Sequence, residues 1–203
     1  MWHITKSKPS RNGTLSSKNE ILRKIIHISG FFVPLLCSVV GLPIVIMAIF
    51  AVTIFYAISE WARIKGKNFP RVTSITLRAV RKEELGIFVA SPVFFALGIL
   101  LTLLLFPSPV SSAAITIFAV GYSTASIFGR IFGKTRLFFN RKKTLEGSLI
   151  GFAFAFLAGT VFVSPLMALV GAVVAMLFES LPLPLNDNVV VPLVTAVGLT
   201  FIT

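Results

Sequence analysis

The sequence predicts an all-α fold, a polytopic membrane helix bundle of about seven transmembrane helices with a cytoplasmic N-terminus. Two observations predict it. Hydrophobic residues make up 56% of the 203, and the mean hydropathy of +0.93 lies far above a soluble average. All 19 Lys and Arg residues fall into three clusters, from Lys6 to Lys24, from Arg63 to Lys82 and from Arg130 to Lys143. A soluble protein scatters its cations, whereas a polytopic one keeps them in loops that never cross the bilayer. Uncharged turns alternate with the clusters, at Gly41-Leu42-Pro43, Pro107-Ser108-Pro109 and Ser164-Pro165. The alternation places basic loops in the cytoplasm and small turns outside. The seven acidic residues share the basic side.

The net charge of +12 is read as this bias, with attraction to anionic headgroups or phosphorylated substrates. A nucleic-acid binder would carry more polar surface. The lone Cys37 excludes an intramolecular disulfide and a cysteine-based metal cluster.

Taken in order, residues 1–19 read as a polar cytoplasmic tail, and 20–203 as a single transmembrane domain. No cleavable signal is evident, because a polar, basic stretch precedes the first apolar run. Roughly 20 apolar residues cross the hydrocarbon core. On that measure the spans are Ile21–Val40, Pro43–Ala62, Leu85–Phe106, Val110–Phe128, Gly147–Val163, Pro165–Ser180 and Val189–Ile202. The last three are short, and an odd number of crossings puts the C-terminus outside. The middle basic loop has room for an interfacial helix between Phe69-Pro70 and Gly86, although Val72, Ile75, Ala79 and Val80 do not gather on one face. Span five carries Gly147, Gly151, Ala155 and Gly159, and span four carries Gly121, Ala125 and Gly129. Such stripes let helices approach closely.

Three constellations bear chemistry. The first is Glu20, Arg23, Lys24, His27 and Gly30 at the mouth of span one. At 100° per residue Glu20, Lys24 and His27 share a stripe bordered by Arg23. An anchoring, snorkelling role explains Arg23 and Lys24 but not His27, a turn deeper. The second runs from Gly121 to Thr135 and on through Arg141-Lys142-Lys143-Thr144-Leu145-Glu146-Gly147-Ser148. Its glycines, hydroxyls and lysines suit phosphate oxygens. Gly129 to Thr135 looks like a P-loop, but it has three residues between the glycines instead of four and a membrane helix before it, so that reading is rejected. The third is Glu179 to Asn188, with the only Asp, Asp187, beside two Asn. Hard oxygens there suit Mg²⁺, while Asn-Asp-Asn is also a common turn and cap sequence.

Glu-x-x-Arg-Lys-x-x-His-x-x-Gly, Glu60-x-x-Arg63, Lys-Thr-Leu-Glu-Gly-Ser and Glu-x-x-Pro…Asp-Asn…Pro occur in that order. Over roughly residues 20–200 this resembles the dolichol kinase, phytol kinase and CTP-dependent diacylglycerol kinase family. The resemblance implies transfer of the γ-phosphate of CTP to a lipid alcohol (polyprenol, diacylglycerol or similar) with Mg²⁺ or another divalent metal at the cytoplasmic face. The chain itself reads as an integral multi-pass protein, of a prokaryotic cell membrane rather than the endoplasmic reticulum. His27, Glu146 and Asp187 would be catalytic, and Glu146, Glu179 and Asp187 would hold the metal. Arg23, Lys24, Gly129, Lys134, Lys142, Lys143, Thr144, Gly147 and Ser148 would bind nucleotide and phosphate, together with Arg141. Glu20, Glu60, Arg63, Gly121, Tyr122 and Asn188 complete the motif.

One departure stands out. The family shows Gly-Asp where this chain has Gly121-Tyr122, and a phenol cannot replace a carboxylate at Mg²⁺. Either the three other carboxylates suffice, or the chain is a catalytically degenerate, lipid-binding homologue. The related phosphatidate cytidylyltransferases are the alternative enzyme class, but their Asp-rich C-terminal signature is absent. A transporter would need charge near the midplane, and the spans show none there.

Overall fold

A computed structural model describes residues 12–67, 69–80, 84 and 86–202. The helices are α1 (Asn12–Ile28), α2 (Phe32–Val40), α3 (Leu42–Ile64), α4 (Pro70–Ala79), α5 (Ser91–Leu105), α6 (Val110–Phe132), α7 (Leu145–Gly159), α8 (Pro165–Ser180) and α9 (Asp187–Thr200). Among the described residues there is no strand, and an isolated bridge pairs Arg136 with Thr144. The all-helical expectation holds. Three stretches, Glu20–Val40, Leu42–Ile64 and Val110–Phe132, are long and apolar enough to cross a membrane. The apolar helices α5, α7, α8 and α9 have 14 to 16 residues. At 1.5 Å per residue they reach about 21–24 Å, against a hydrocarbon core of about 30 Å.

Helix α6 is the axis of the bundle. It packs against α1, α5, α7, α8 and α9, and 78% of its apolar window is buried, compared with 11% for α3. Its small residues explain this. A Cβ on Gly121 would stand 2.7 Å from the Ala155 methyl, and one on Gly147 would stand 2.6 Å from the Ala125 carbonyl oxygen. The small-residue stripes of spans four and five therefore face each other, as expected for close helix packing. Helix α3 instead exposes Met47, Phe50, Val52, Ile54 and Ile58, an apolar outer surface.

Several boundaries differ from the sequence reading, each for a local reason. The first span is broken by a 3-10 turn at Ser29–Phe31. Pro34 lacks the N–H that would bond the Gly30 carbonyl, and its ring crowds that carbonyl, so the α-helix restarts at Phe32. Gly41, at φ 92°, makes the turn into α3 that a side chain would resist. Helix α5 starts at Ser91 rather than Leu85, because residues 87–89 are held outside the helix by Glu60 and Arg63. Helix α6 runs on through Gly129 and Arg130 to Phe132. Helix α7 starts at Leu145 and ends at Gly159, and α9 starts at Asp187.

The polar stretch 12–19 belongs to α1, and the rest of the expected tail, residues 1–11, lies outside the described residues. The segment expected to hold an interfacial helix is helical, as α4, which buries Thr73, Thr76 and the flanking Val80 while exposing Ile75 and Leu77.

Candidate active site

The starts of α5 and α9, the basic stretch of α1, the loop before α7 and the end of α8 meet at one end of the bundle. They surround a cleft of about 460 Å³ lined by Arg23, His27, Ser91, Tyr122, Lys142, Leu183, Leu185, Asn186, Asp187 and Asn188. Three stretches singled out in the sequence, within residues 20–30, 121–148 and 179–188, supply most of this wall.

Helix α1 brings Arg23, Lys24 and His27. Arg23 is paired with Glu20 one turn earlier, which fixes the guanidinium at the rim, and its Nε is buried without a hydrogen-bond partner. The His27 ring lies between Phe95, at a centroid distance of 4.3 Å, and Tyr122, at 5.8 Å. Its Nδ1 is buried and unpartnered. Gly30 lets this segment close on the bundle, since a Cβ there would stand 2.8 Å from the Phe95 ring. Tyr122, from the middle of α6, receives the Lys24 ammonium 3.5 Å from its ring centroid and the Lys143 ammonium at 5.1 Å.

The loop 133–144 turns back on itself. Leu137 N–H donates to the Lys143 carbonyl at 3.2 Å, and Leu145 N–H to the Thr135 carbonyl at 2.9 Å. Asn140 Nδ2 donates to the Ser180 carbonyl at 3.0 Å and ties the loop to the end of α8. The loop thus sets Lys142 in the cleft wall and Lys143 against Glu179. Burial works against the Lys143 ammonium, but the Glu179 carboxylate outweighs it and holds the pKa above the ordinary lysine value. Asp187 Oδ2 stands 3.9 Å from the same ammonium.

Helix α9 opens with a cap in which Asn186 Oδ1 accepts from Asn188 N–H at 3.0 Å, so the Asn-Asp-Asn sequence is a helix start. Asn188 Nδ2 reaches the Ser91 carbonyl at 3.4 Å, which leaves its Oδ1 buried and unpartnered. Pro192 supplies no N–H to the Asn188 carbonyl four residues earlier, and that carbonyl packs directly on Gly98 of α5. Any side chain at 98 would collide with it.

Other motif residues lie elsewhere. Thr144 caps α7 by accepting from Gly147 N–H at 3.3 Å, and Ser148 Oγ is 3.2 Å from Ser180 Oγ. Gly129 and Gly147 form the contact between α6 and α7. Glu146 accepts from Thr135 N–H at 3.0 and 3.2 Å. Lys134 and Arg141 are exposed. Glu60 receives Arg63 through two bonds at 2.8 and 2.7 Å and Val89 N–H at 2.9 Å, clamping α3 to the approach of α5.

The three carboxylates expected at a metal are therefore not gathered. Among the described residues no group of three His, Cys, Asp or Glu side chains is placed to share an ion. Glu179 Oε2 and Asn188 Oδ1 are each buried and unpartnered, and Glu179 and Asp187 flank the Lys143 ammonium; these are hard oxygens of the kind that suit a magnesium ion carrying waters and phosphate oxygens. Glu146 is outside that set. Sequence reasoning missed Ser91, Phe95 and Asn140. Ser-Pro at a helix start marks Ser91 as a boundary, but nothing in the sequence signals the other two.

The fold and the cleft define a helical membrane protein with a mixed-charge pocket at one end of its bundle. No family model matches the chain, and no solved structure matches it. Over 148 residues it is 33% identical to Phytol kinase 1, chloroplastic, of Arabidopsis thaliana, a match covering 63% of this chain and 47% of that one. The chain thus spans about half the length of the curated relative it matches. Over that stretch the chain is similar to a phytol kinase.

Proposed function

We propose that this protein is a lipid-alcohol kinase that transfers the γ-phosphate of CTP to a membrane alcohol at the cytoplasmic face. The observation that carries the reading is the convergence of Arg23, His27, Tyr122, Lys142 and Asp187 on one cleft, with Lys143 and Glu179 paired beside it. Seven crossings of a bilayer, the shorter ones accommodated by local thinning, would put this cleft at the cytoplasmic surface.

Phosphoryl transfer needs positioning and charge neutralisation more than covalent help. Lys142, Lys143 and Arg23 would bind the phosphate chain. The alcohol would arrive laterally from the bilayer, its first carbons against Leu183 and Leu185 on the cleft wall. His27 would accept the hydroxyl proton as the alcohol oxygen bonds to the γ-phosphorus and the bond to the bridging oxygen breaks, releasing CDP. Glu179, Asp187 and Asn188 would hold a magnesium ion, which supplies neutralisation of phosphate charge.

The test is purified protein in lipid with γ-labelled CTP and a panel of polyprenols, phytol-like alcohols and diacylglycerols. Label in a lipid phosphate, with CDP formed, is the expected result. A CDP-lipid with released pyrophosphate would replace this reading with a cytidylyltransferase. No transfer to any alcohol would leave a lipid-binding homologue.

A further inference from the structure

Lys24 is only 2% exposed, and among the described residues it forms no ion pair. The carboxylates around it are engaged, Glu20 with Arg23 and Glu179 with Lys143. Asp187, which also faces the cleft, stands 3.9 Å from the Lys143 ammonium. What Lys24 touches is a ring. Its ammonium is 3.5 Å from the Tyr122 centroid, and that of Lys143 is 5.1 Å from the same centroid. An aromatic face attracts a cation through its quadrupole but carries no net charge. Tyr122 therefore touches two ammonium groups without neutralising either; Lys143 has Glu179 as its counter-ion, whereas Lys24 has only the ring. A buried charge left unpaired is costly, and an arriving anion removes that cost. Arg23 Nε, one residue earlier in α1, is also buried and without a partner.

We propose that Lys24 and Lys143, held on the Tyr122 ring, form a phosphate seat that binds its ligand without a divalent metal, with Tyr122 as the positioning residue. The ligand is a phosphate group, carried by a free nucleotide or by a phosphorylated lipid. The inference rests on the kinase reading only for which of these two the seat serves. A carboxylate in place of the ring would pair with Lys24, consume its charge and make binding depend on an added metal.

The experiment uses the full chain in zwitterionic nanodiscs containing EDTA. Inorganic pyrophosphate and CTP are titrated in one arm, and a lipid phosphomonoester is included in the disc in the other. Binding in EDTA is expected. Lys24→Met should weaken it at least tenfold, and Tyr122→Leu by about tenfold. Tyr122→Phe, which keeps the ring, should restore it. Tyr122→Asp should lose binding in EDTA and recover it when Mg²⁺ is added, a switch that a merely structural role for Tyr122 would not produce. Binding of the soluble phosphates assigns the seat to the nucleotide, and binding of the lipid phosphomonoester alone assigns it to the lipid. Two results overturn the proposal: no phosphate compound binds without Mg²⁺, or Tyr122→Asp binds in EDTA as tightly as wild type. If Lys24→Met fails to fold, the Phe and Asp variants at 122 decide. Intact binding in EDTA with no lipid phosphorylation would sink the kinase reading and leave the seat standing.

Discussion

Asp187 and Glu146 are two carboxylates with similar sequence credentials and different surroundings. Asp187 faces the cleft beside Lys143, while Glu146 caps the Thr135 amide away from it. Asp187→Asn should lower lipid phosphorylation on the order of a hundredfold, because the transition state depends on charge neutralisation. Glu146→Gln should lose less than tenfold, measured in the same γ-labelled assay. Lys143→Met leaves Glu179, whose side chain is 1% exposed, without its cation. Removing one partner of such a pair costs about 3 kcal/mol, read as a lower melting temperature in detergent. The raised Lys143 pKa sets the pH window. Its contribution is fully present below the ordinary lysine value and is lost only as pH rises through the higher, folded-state value. The melting difference should therefore be the same at about pH 6.5 and about pH 9.

At the scale of elements, the contact between α6 and α7 allows the least change. Gly151 has no room for a side chain, since a Cβ would stand 2.9 Å from the Gly121 carbonyl oxygen. Gly151→Val should force the helices apart at a cost of about 1–3 kcal/mol. Thr144→Ala, which removes the cap on α7, should cost about 1 kcal/mol. Both are measured by thermal melts, and the cap variant also loosens the loop that carries Lys142 and Lys143. A Gly151→Val protein as stable as wild type would show that the two helices are free to separate.

At the scale of the molecule, the site requires the starts of α5 and α9, the basic stretch of α1 and the end of α8 on one side. The expected topology puts Lys67, Arg78 and Arg141 in the cytoplasm and the turn around Ser108 outside. In a Cys37→Ala background, cysteines at 67, 78 and 141 should resist an impermeant thiol reagent in intact cells, and Ser108→Cys should react. External labelling at 141 would place the cleft on the opposite face.

The sequence by itself determined the helical class, the grouping of its cations and the stripes that α6 and α7 use to pack. These are signals of composition and period, and burial reads them directly. It also marked Arg23, His27, Lys142, Asp187 and Asn188, because charges and amides at the ends of apolar runs are conspicuous. Only the tertiary structure decided which of them meet. It set Glu146 on a backbone amide and Glu179 on Lys143, a separation invisible when each is read only as a carboxylate within its own motif. It broke the first span at Ser29–Phe31 and held residues 87–89 out of α5 through Glu60 and Arg63. It also laid Lys24 on Tyr122, ninety-eight positions away in the chain, a contact fixed by the close approach of α1 to α6. Periodicity reports which face of a helix is buried, but the partner that covers it is chosen by how the whole bundle packs.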